Sequence, residues 1–232
     1  MPASLPSTWS GGYIGGNGGY GWDNQSITST ADAAFFGAAI TADNVPASFS
    51  PRTKGGLGGV QAGYNYQMGS GLIGLEADFD FASIRGSSSF LDPTGISFSA
   101  SGERKISSLG TLRARAGWLP WSSLLLYVTG GLAYGKTELT VASSALPFAG
   151  GCAAAPGCLS STSSGMRAGW TIGLGGEWMF APAWSLKAEY LYVDLGSRSA
   201  TLVSPLGPAG NFYTATTRFQ ENIVRGGINY HF

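Results

Sequence analysis

Apolar and polar residues alternate with period two along most of this chain, the mark of β-strands whose two faces meet different surroundings. Leu72–Ile84 shows it best: Ile73, Leu75, Ala77, Phe79 and Phe81 face one way, and Gly74, Glu76, Asp78, Asp80 and Ala82 the other. The same pattern recurs in Gly12–Asp23, Gly58–Gln67, Ser107–Trp118, Leu124–Thr137, Met166–Phe180, Ser185–Leu195 and Gln220–Phe232. That predicts eight strands. Their connections alternate in length as well. Asn24–Arg52, the segment around Phe90–Gly95, Val141–Gly165 and Gly196–Thr217 are the longer ones, while 68–71, 119–123 and 181–184 are tight turns. Long and short connections in alternation predict an antiparallel up-and-down barrel with loops gathered at one end and turns at the other.

Which face points outward follows from volume. An eight-stranded barrel is just wide enough inside for side chains to fill it. The apolar faces carry Tyr20, Tyr64, Leu112, Leu132, Tyr134, Ile172, Leu174 and Tyr190, too much bulk for that interior. The opposite faces hold Gly, Ala, Thr and Asn with a few long charged residues. The acids Glu76, Asp78, Asp80, Glu177, Glu189 and Glu221 share them with Arg113, Arg115, Lys187 and Arg225. Small residues and ion-paired long ones suit a narrow lumen, and bulky rings suit lipid. The expectation is an all-β, eight-stranded transmembrane barrel with a ladder of Asp/Glu–Arg pairs inside, Arg113 and Arg115 meeting the acids of the preceding strand.

Tryptophan placement points the same way. Trp118, Trp121, Trp178 and Trp184 fall near the tight turns, Trp170 near the long-loop end, and Trp9 and Trp22 bracket the first strand. Rings with one polar group concentrate at membrane–water interfaces. With ~3.3 Å per residue and a tilt near 40°, Trp9 and Trp22 are expected roughly 33 Å apart along the membrane normal. Phe232, the last residue, is expected in the same aromatic set.

Composition narrows the alternatives. Charged residues are 11% of the chain and the net charge is zero, which argues against a nucleic-acid binder and against disorder by charge repulsion. Of the 232 residues 37 are Gly, without the period of three that collagen needs. The most apolar stretch, Ala116–Gly135, is broken by Pro120, Ser122 and Ser123, so a membrane helix is poorly supported. Met1–Ser4 has neither the charged nor the apolar region of a signal peptide, as expected of a mature exported form. Residues 1–8 are read as an N-terminal periplasmic segment and 9–232 as one barrel domain. Cys152 and Cys158, with five residues between them in a Gly/Ala/Pro loop, are expected to close a small disulfide ring; two thiolates without a nearby His do not make a zinc site. No cofactor or metal is expected.

Trp9–Trp22 (WSGGYIGGNGGYGW) resembles the first strand of the OmpA-like, opacity-type small outer-membrane barrels of alphaproteobacteria, known as immunogenic surface antigens or porin-family proteins. Gly169–Gly173 and Lys187–Tyr192 resemble the family's sixth and seventh strands. Asn229–Phe232 resembles the terminal-aromatic signal read by the outer-membrane insertion machinery. The resemblance covers nearly the whole chain. It implies a Gram-negative outer-membrane location with both termini periplasmic, and partners in the lipopolysaccharide and phospholipid of the bilayer. It says less about activity.

Three roles remain to weigh. An enzyme needs a general base, and the one histidine, His231, is one residue from the end. A wide aqueous pore needs about 16 strands, so eight leave at most a small conductance. The long loops carry few charges and two apolar spots, Phe35-Phe36 and Pro147-Phe148, which could meet an extracellular ligand or protein. The expected role is therefore non-catalytic, structural and surface-exposed, with a small-conductance porin as the alternative and an enzyme behind it.

Overall fold

A computed structural model describes residues 9–31, 48–91, 98–145, 158–203 and 212–232. These form β1 (Gly11–Asp23), β2 (Ile27–Ala31), β3 (Ser48–Phe49), β4 (Thr53–Met68), β5 (Gly71–Leu91), β6 (Phe98–Trp121), β7 (Leu124–Ala145), β8 (Cys158–Ala181), β9 (Trp184–Val203) and β10 (Phe212–His231). No helix occurs among the described residues. Every pairing is antiparallel, and β1 bonds to both β4 and β10, so β1 and β4–β10 close a ring of eight. The first strand is broken rather than simple. β1 stops at Asp23, and β2 takes its place alongside β10, with Ala31 opposite Tyr213 and Ile27 opposite Thr217. Closure leaves no open sheet edge in the ring, which a strand protein in lipid requires.

The tight connections are those expected. β4 and β5 join through Gly69, whose φ of +62° is a left-handed conformation suited to glycine, and Ser70 O accepts a bond from Leu119 N at 2.8 Å. The strands at the other end run much further than the alternation predicted. Parts of Val141–Gly165 and Gly196–Thr217 are strand, as β7 reaches Ala145, β8 begins at Cys158, and β9 and β10 pair as far as Val203 and Phe212. In these extensions Ser, Thr and Ala occupy both faces, so the contrast that marks a strand in sequence fades while the backbone ladder continues. Thr140–Thr162, Ser199–Thr216 and Thr201–Thr214 hydroxyl pairs bridge neighbouring strands there.

The faces divide as expected. Val60, Leu75, Leu112, Val128, Leu132, Ile172 and Leu174 are exposed on the outer wall, whereas Glu76, Arg113, Glu177 and Arg225 are buried within the ring. A contiguous apolar exterior around a charged interior is the reverse of a water-soluble core. Aromatics rim both ends of this band. Trp118, Trp121, Trp178, Trp184 and Phe232 are exposed at the tight-turn end, where Trp184 packs edge-on to Tyr230 at 5.2 Å. Trp22 and Trp170 are exposed toward the long-loop end, with Trp170 5.5 Å from Tyr192.

Trp9 departs from this pattern. It is 2% exposed and lies inside the barrel mouth with Leu72, Leu119, Leu125, Tyr127 and Met179. Its indole Nε1 donates to Ser122 O at 2.9 Å and its backbone N to Gln67 Oε1 at 2.7 Å. It is therefore an internal stopper, not an interface residue, and the spacing of Trp9 from Trp22 says nothing about membrane thickness. The ring prefers this place because it buries a large apolar area while its single donor finds a carbonyl.

A second internal apolar layer fills the long-loop half of the barrel, built from Ile27, Ile84, Leu109, Leu139, Leu191, Phe219 and neighbouring buried side chains. The lumen is thus not polar throughout. Two apolar layers enclose a charged one.

Candidate functional site

The middle layer is an ion-pair network set by strand register. Glu76 of β5 lies opposite Arg113 of β6, Arg225 of β10 opposite Glu189 of β9, and Lys187 of β9 opposite Glu177 of β8. These strands all turn their period-two polar face inward, so the side chains converge on one volume. Arg113 bonds Glu76, Asp78 (3.0 Å) and Glu189 (3.1 Å). Arg225 bonds Glu189, Asp78 (2.7 Å) and Asp80 (2.9 Å). Lys187 reaches Glu76 (2.7 Å) and Glu189 (3.3 Å), and Arg115 reaches Glu177 (3.0 Å).

Neutral donors add to four of the acids. Tyr13 OH donates to Glu76 Oε2 at 2.6 Å, Tyr127 OH to Glu189 Oε2 at 3.0 Å, Thr111 to Asp78 at 2.6 Å, and Asn229 Nδ2 to Glu177 Oε1 at 2.7 Å. Arg115 stacks over the Tyr13 and Tyr127 rings at 4.7 and 5.2 Å and donates Nε–H to Asn65 Oδ1 at 2.8 Å. Buried charges persist only when paired and hydrogen-bonded.

Glycines make room for these long chains. A Cβ on Gly63 would sit 2.3 Å from Tyr13 Oη, and one on Gly131 would meet the backbone beside Arg113. Tyr13→Phe removes only the bond to Glu76 and keeps the ring. It is expected to lower unfolding stability by about 1.5–3 kcal/mol, the range for a bond to a charged group, read by urea titration of the barrel in lipid vesicles.

Glu221, expected on the same ladder, stands apart from it. On β10 the inward Ile223, fully buried, separates Glu221 from Arg225. Glu221 Oε1 instead accepts from Thr53 at 3.2 Å. Nearby, Arg104 bonds Asp23 at 3.0 Å and Arg218 O at 2.8 Å, with its guanidinium 4.9 Å over Phe219. Alternation assigns a face but not a depth, so two inward acids on one strand looked equivalent. Arg104, Asp23, Tyr13 and Tyr127 are buried inside as well, and Arg104 lies outside the alternating segments of the sequence.

One arrangement contains the residue types of a hydrolytic triad. Ser185 Oγ is 2.9 Å from His231 Nε2, and Glu177 is 3.3 Å from the same nitrogen. The roles do not match. A triad needs the acid on one ring nitrogen and the serine on the other. Here both lie on Nε2, Ser185 donates directly to Glu177 at 2.6 Å, and Ser185 is fully buried. Among the described residues no group of three metal-ligating side chains comes together. Cys152, Phe35-Phe36 and Pro147-Phe148 lie outside the described residues, as does the segment 1–8, so the expected disulfide with Cys158 and the apolar loop spots have no geometry to report.

Comparison with known proteins agrees with this architecture. A family model described as an outer membrane protein beta-barrel domain matches residues 1–232. A 31 kDa outer-membrane immunogenic protein of Brucella melitensis is 39% identical over 234 residues, covering 97% of this chain and 84% of that protein. A 22 kDa outer membrane protein of Rhizobium leguminosarum is 27% identical, covering 100% of this chain and 82% of that one. Among solved structures, the outer membrane protein OprG from Pseudomonas aeruginosa superposes with a TM-score of 0.54 at 16% identity, covering 99% of this chain and 100% of that chain. The outer membrane protease OmpT from Escherichia coli gives 0.50 at 9% identity, with full coverage of both chains; at such identities the likeness is one of fold. With an inside-out ring of eight strands and a match along its whole length, the chain belongs to the outer membrane protein β-barrel family.

Proposed function

We propose that this protein is a sealed, non-catalytic barrel of the outer membrane that serves a structural and surface role. Its short turns and both termini face the periplasm, and its long loops are free to meet an extracellular ligand or protein. The observation that carries the reading is the filled lumen. Among the described residues, buried apolar layers lie above and below an ion-paired charge layer. The orientation rests on short turns being periplasmic in such barrels. Both described ends meet at the short-turn side, where Phe232 N donates to Gly12 O and His231 N to Ala183 O. Phe232 and Tyr230 leave an exposed aromatic terminus for the insertion machinery to read, and lipopolysaccharide and phospholipid cover the outer wall. Each carboxylate of the central cluster is held in an ion pair, and the Ser185–His231–Glu177 contacts have the wrong connectivity for a nucleophile. These features support a non-enzymatic role.

Refolded protein added to planar bilayers is expected to give no resolved open-channel steps. Reproducible steps that disappear on heat denaturation would instead favour the small-conductance porin. Labelling of single cysteines placed in the long loops, on intact cells with a membrane-impermeant reagent, checks orientation separately.

A further inference from the structure

Outside the apolar band, on the long-loop half of the wall, three cations stand directly opposite one another on adjacent strands. Lys54 of β4 is the register partner of Arg85 of β5, and Arg85 that of Lys105 of β6. Each points outward, because its chain neighbours Thr53, Ile84, Arg104 and Ile106 are buried within the ring. Opposed side chains in a ladder lie about 5 Å apart, and like charges at that distance destabilise a sheet. Folding alone does not ask for this row. Among the described residues none of the three makes an ion pair; Arg85 bonds only Ser83, at 3.1 Å. The row meets acids only at its far end, where Glu138 of β7 is the register partner of Lys105 and Glu103 lies two residues along β6. On the membrane side the row ends at Trp22, partner of Lys54 and part of the aromatic rim.

We propose that Lys54, Arg85 and Lys105 form a binding site for the phosphorylated headgroup of lipopolysaccharide in the outer leaflet. The height of the row selects the lipid. A row perpendicular to strands tilted near 40° and ~4.8 Å apart climbs about 3 Å per strand. The three cations therefore rise outward from Trp22 over roughly 6–9 Å. A phospholipid presents one phosphate at one depth; lipopolysaccharide stacks phosphates and acidic sugars outward from its acyl chains. Below the row, exposed Tyr20, Phe79 and Phe81 offer the apolar wall against which those chains lie. The assignment rests on the long-loop end facing outward, which the cysteine-labelling experiment tests independently of any lipid.

The test compares wild-type barrel with the triple variant Lys54→Gln/Arg85→Gln/Lys105→Gln, both refolded in zwitterionic detergent and titrated with bisphosphorylated lipid A or with lipid A stripped of its phosphates. Wild type is expected to bind the phosphorylated lipid more tightly, and the triple variant to bind it at least tenfold more weakly, given roughly fivefold per basic side chain near an anionic lipid surface. Raising salt should weaken wild type more than the variant. Without lipid the variant should melt close to wild type, since removing the mutual repulsion offsets the loss of the Arg85–Ser83 bond and of the Lys105 charge opposite Glu138, and Lys54→Arg/Lys105→Arg should retain wild-type affinity. Equal affinity of wild type for both lipids, or unchanged affinity in the triple variant, would overturn the site. So would tighter binding of a soluble sulfated polysaccharide than of lipid A, lost in the same variant, which would assign the row to an extracellular polyanion.

Discussion

Arg113→Met is expected to destabilise the barrel by about 3–5 kcal/mol, the range for breaking a buried ion pair by removing one partner. The magnitude follows from what the guanidinium holds together. Arg113 is fully buried and bonds Glu76 of its neighbouring strand and Glu189 from across the lumen, with Asp78 between them. Methionine fills a similar volume, so little of the loss is a cavity. What remains is three carboxylates facing one another with Arg225 and Lys187 as the nearby cations. Lys187, already 2.7 Å from Glu76, moderates the effect at that acid and not at Asp78. Two measurements separate charge from packing. Urea unfolding in vesicles gives the loss directly, and adding Glu189→Gln to Arg113→Met should recover part of it by reducing the excess negative charge left in the layer, although Glu189 keeps Arg225 and Lys187 as partners. Were the pairs merely decorative, Arg113→Met would unfold with the wild type and the second substitution would add its own cost.

The same layer shows how far a sequence can be read. Glu76, Asp78 and Asp80 at alternate positions, followed by Arg113 and Arg115 at alternate positions one strand later, can be placed face to face from pattern alone, and the Glu76–Arg113 register agrees. Their meeting with Glu189 and Arg225 across the lumen depends on barrel closure and strand stagger, which no local pattern encodes. Glu221 illustrates that gap: its inward face was legible, but its depth, above Ile223 rather than below, was not. Trp9 illustrates another. A tryptophan outside any alternating run carries no face information, and its ring suits a membrane interface and a plugged mouth equally well. Long strands were missed where they leave the apolar band. Around Ser83, Ser87 and Ser89 outside and Gly86 and Ser88 inside, both faces are small or polar and the period-two contrast vanishes, yet β5 continues paired to β6 as far as Leu91.

Val128→Arg is expected to cost about 2–4 kcal/mol in a lipid bilayer, the depth-dependent penalty for an arginine on the lipid face near the midplane. Val128 is 61% exposed on β7, with Ala116 and Leu174 as cross-strand neighbours and Leu126 and Leu132 exposed along the same face. In a water-soluble barrel so exposed a position would accept arginine with little change, because a solvated charge displaces no packing. The experiment therefore reads the sidedness of the whole wall. Lys136, outward on the same strand but beyond Tyr134, provides the internal control: Lys136→Leu should leave stability within about 0.5 kcal/mol. A penalty at 128 that vanishes when unfolding is measured in short-chain detergent, where water reaches the wall, places hydrocarbon against the valine. Equal stability of Val128→Arg and wild type in bilayers would mean that bulky apolar residues on this exterior never contact lipid. The interior charge layer would then need another reason for being sealed away from water.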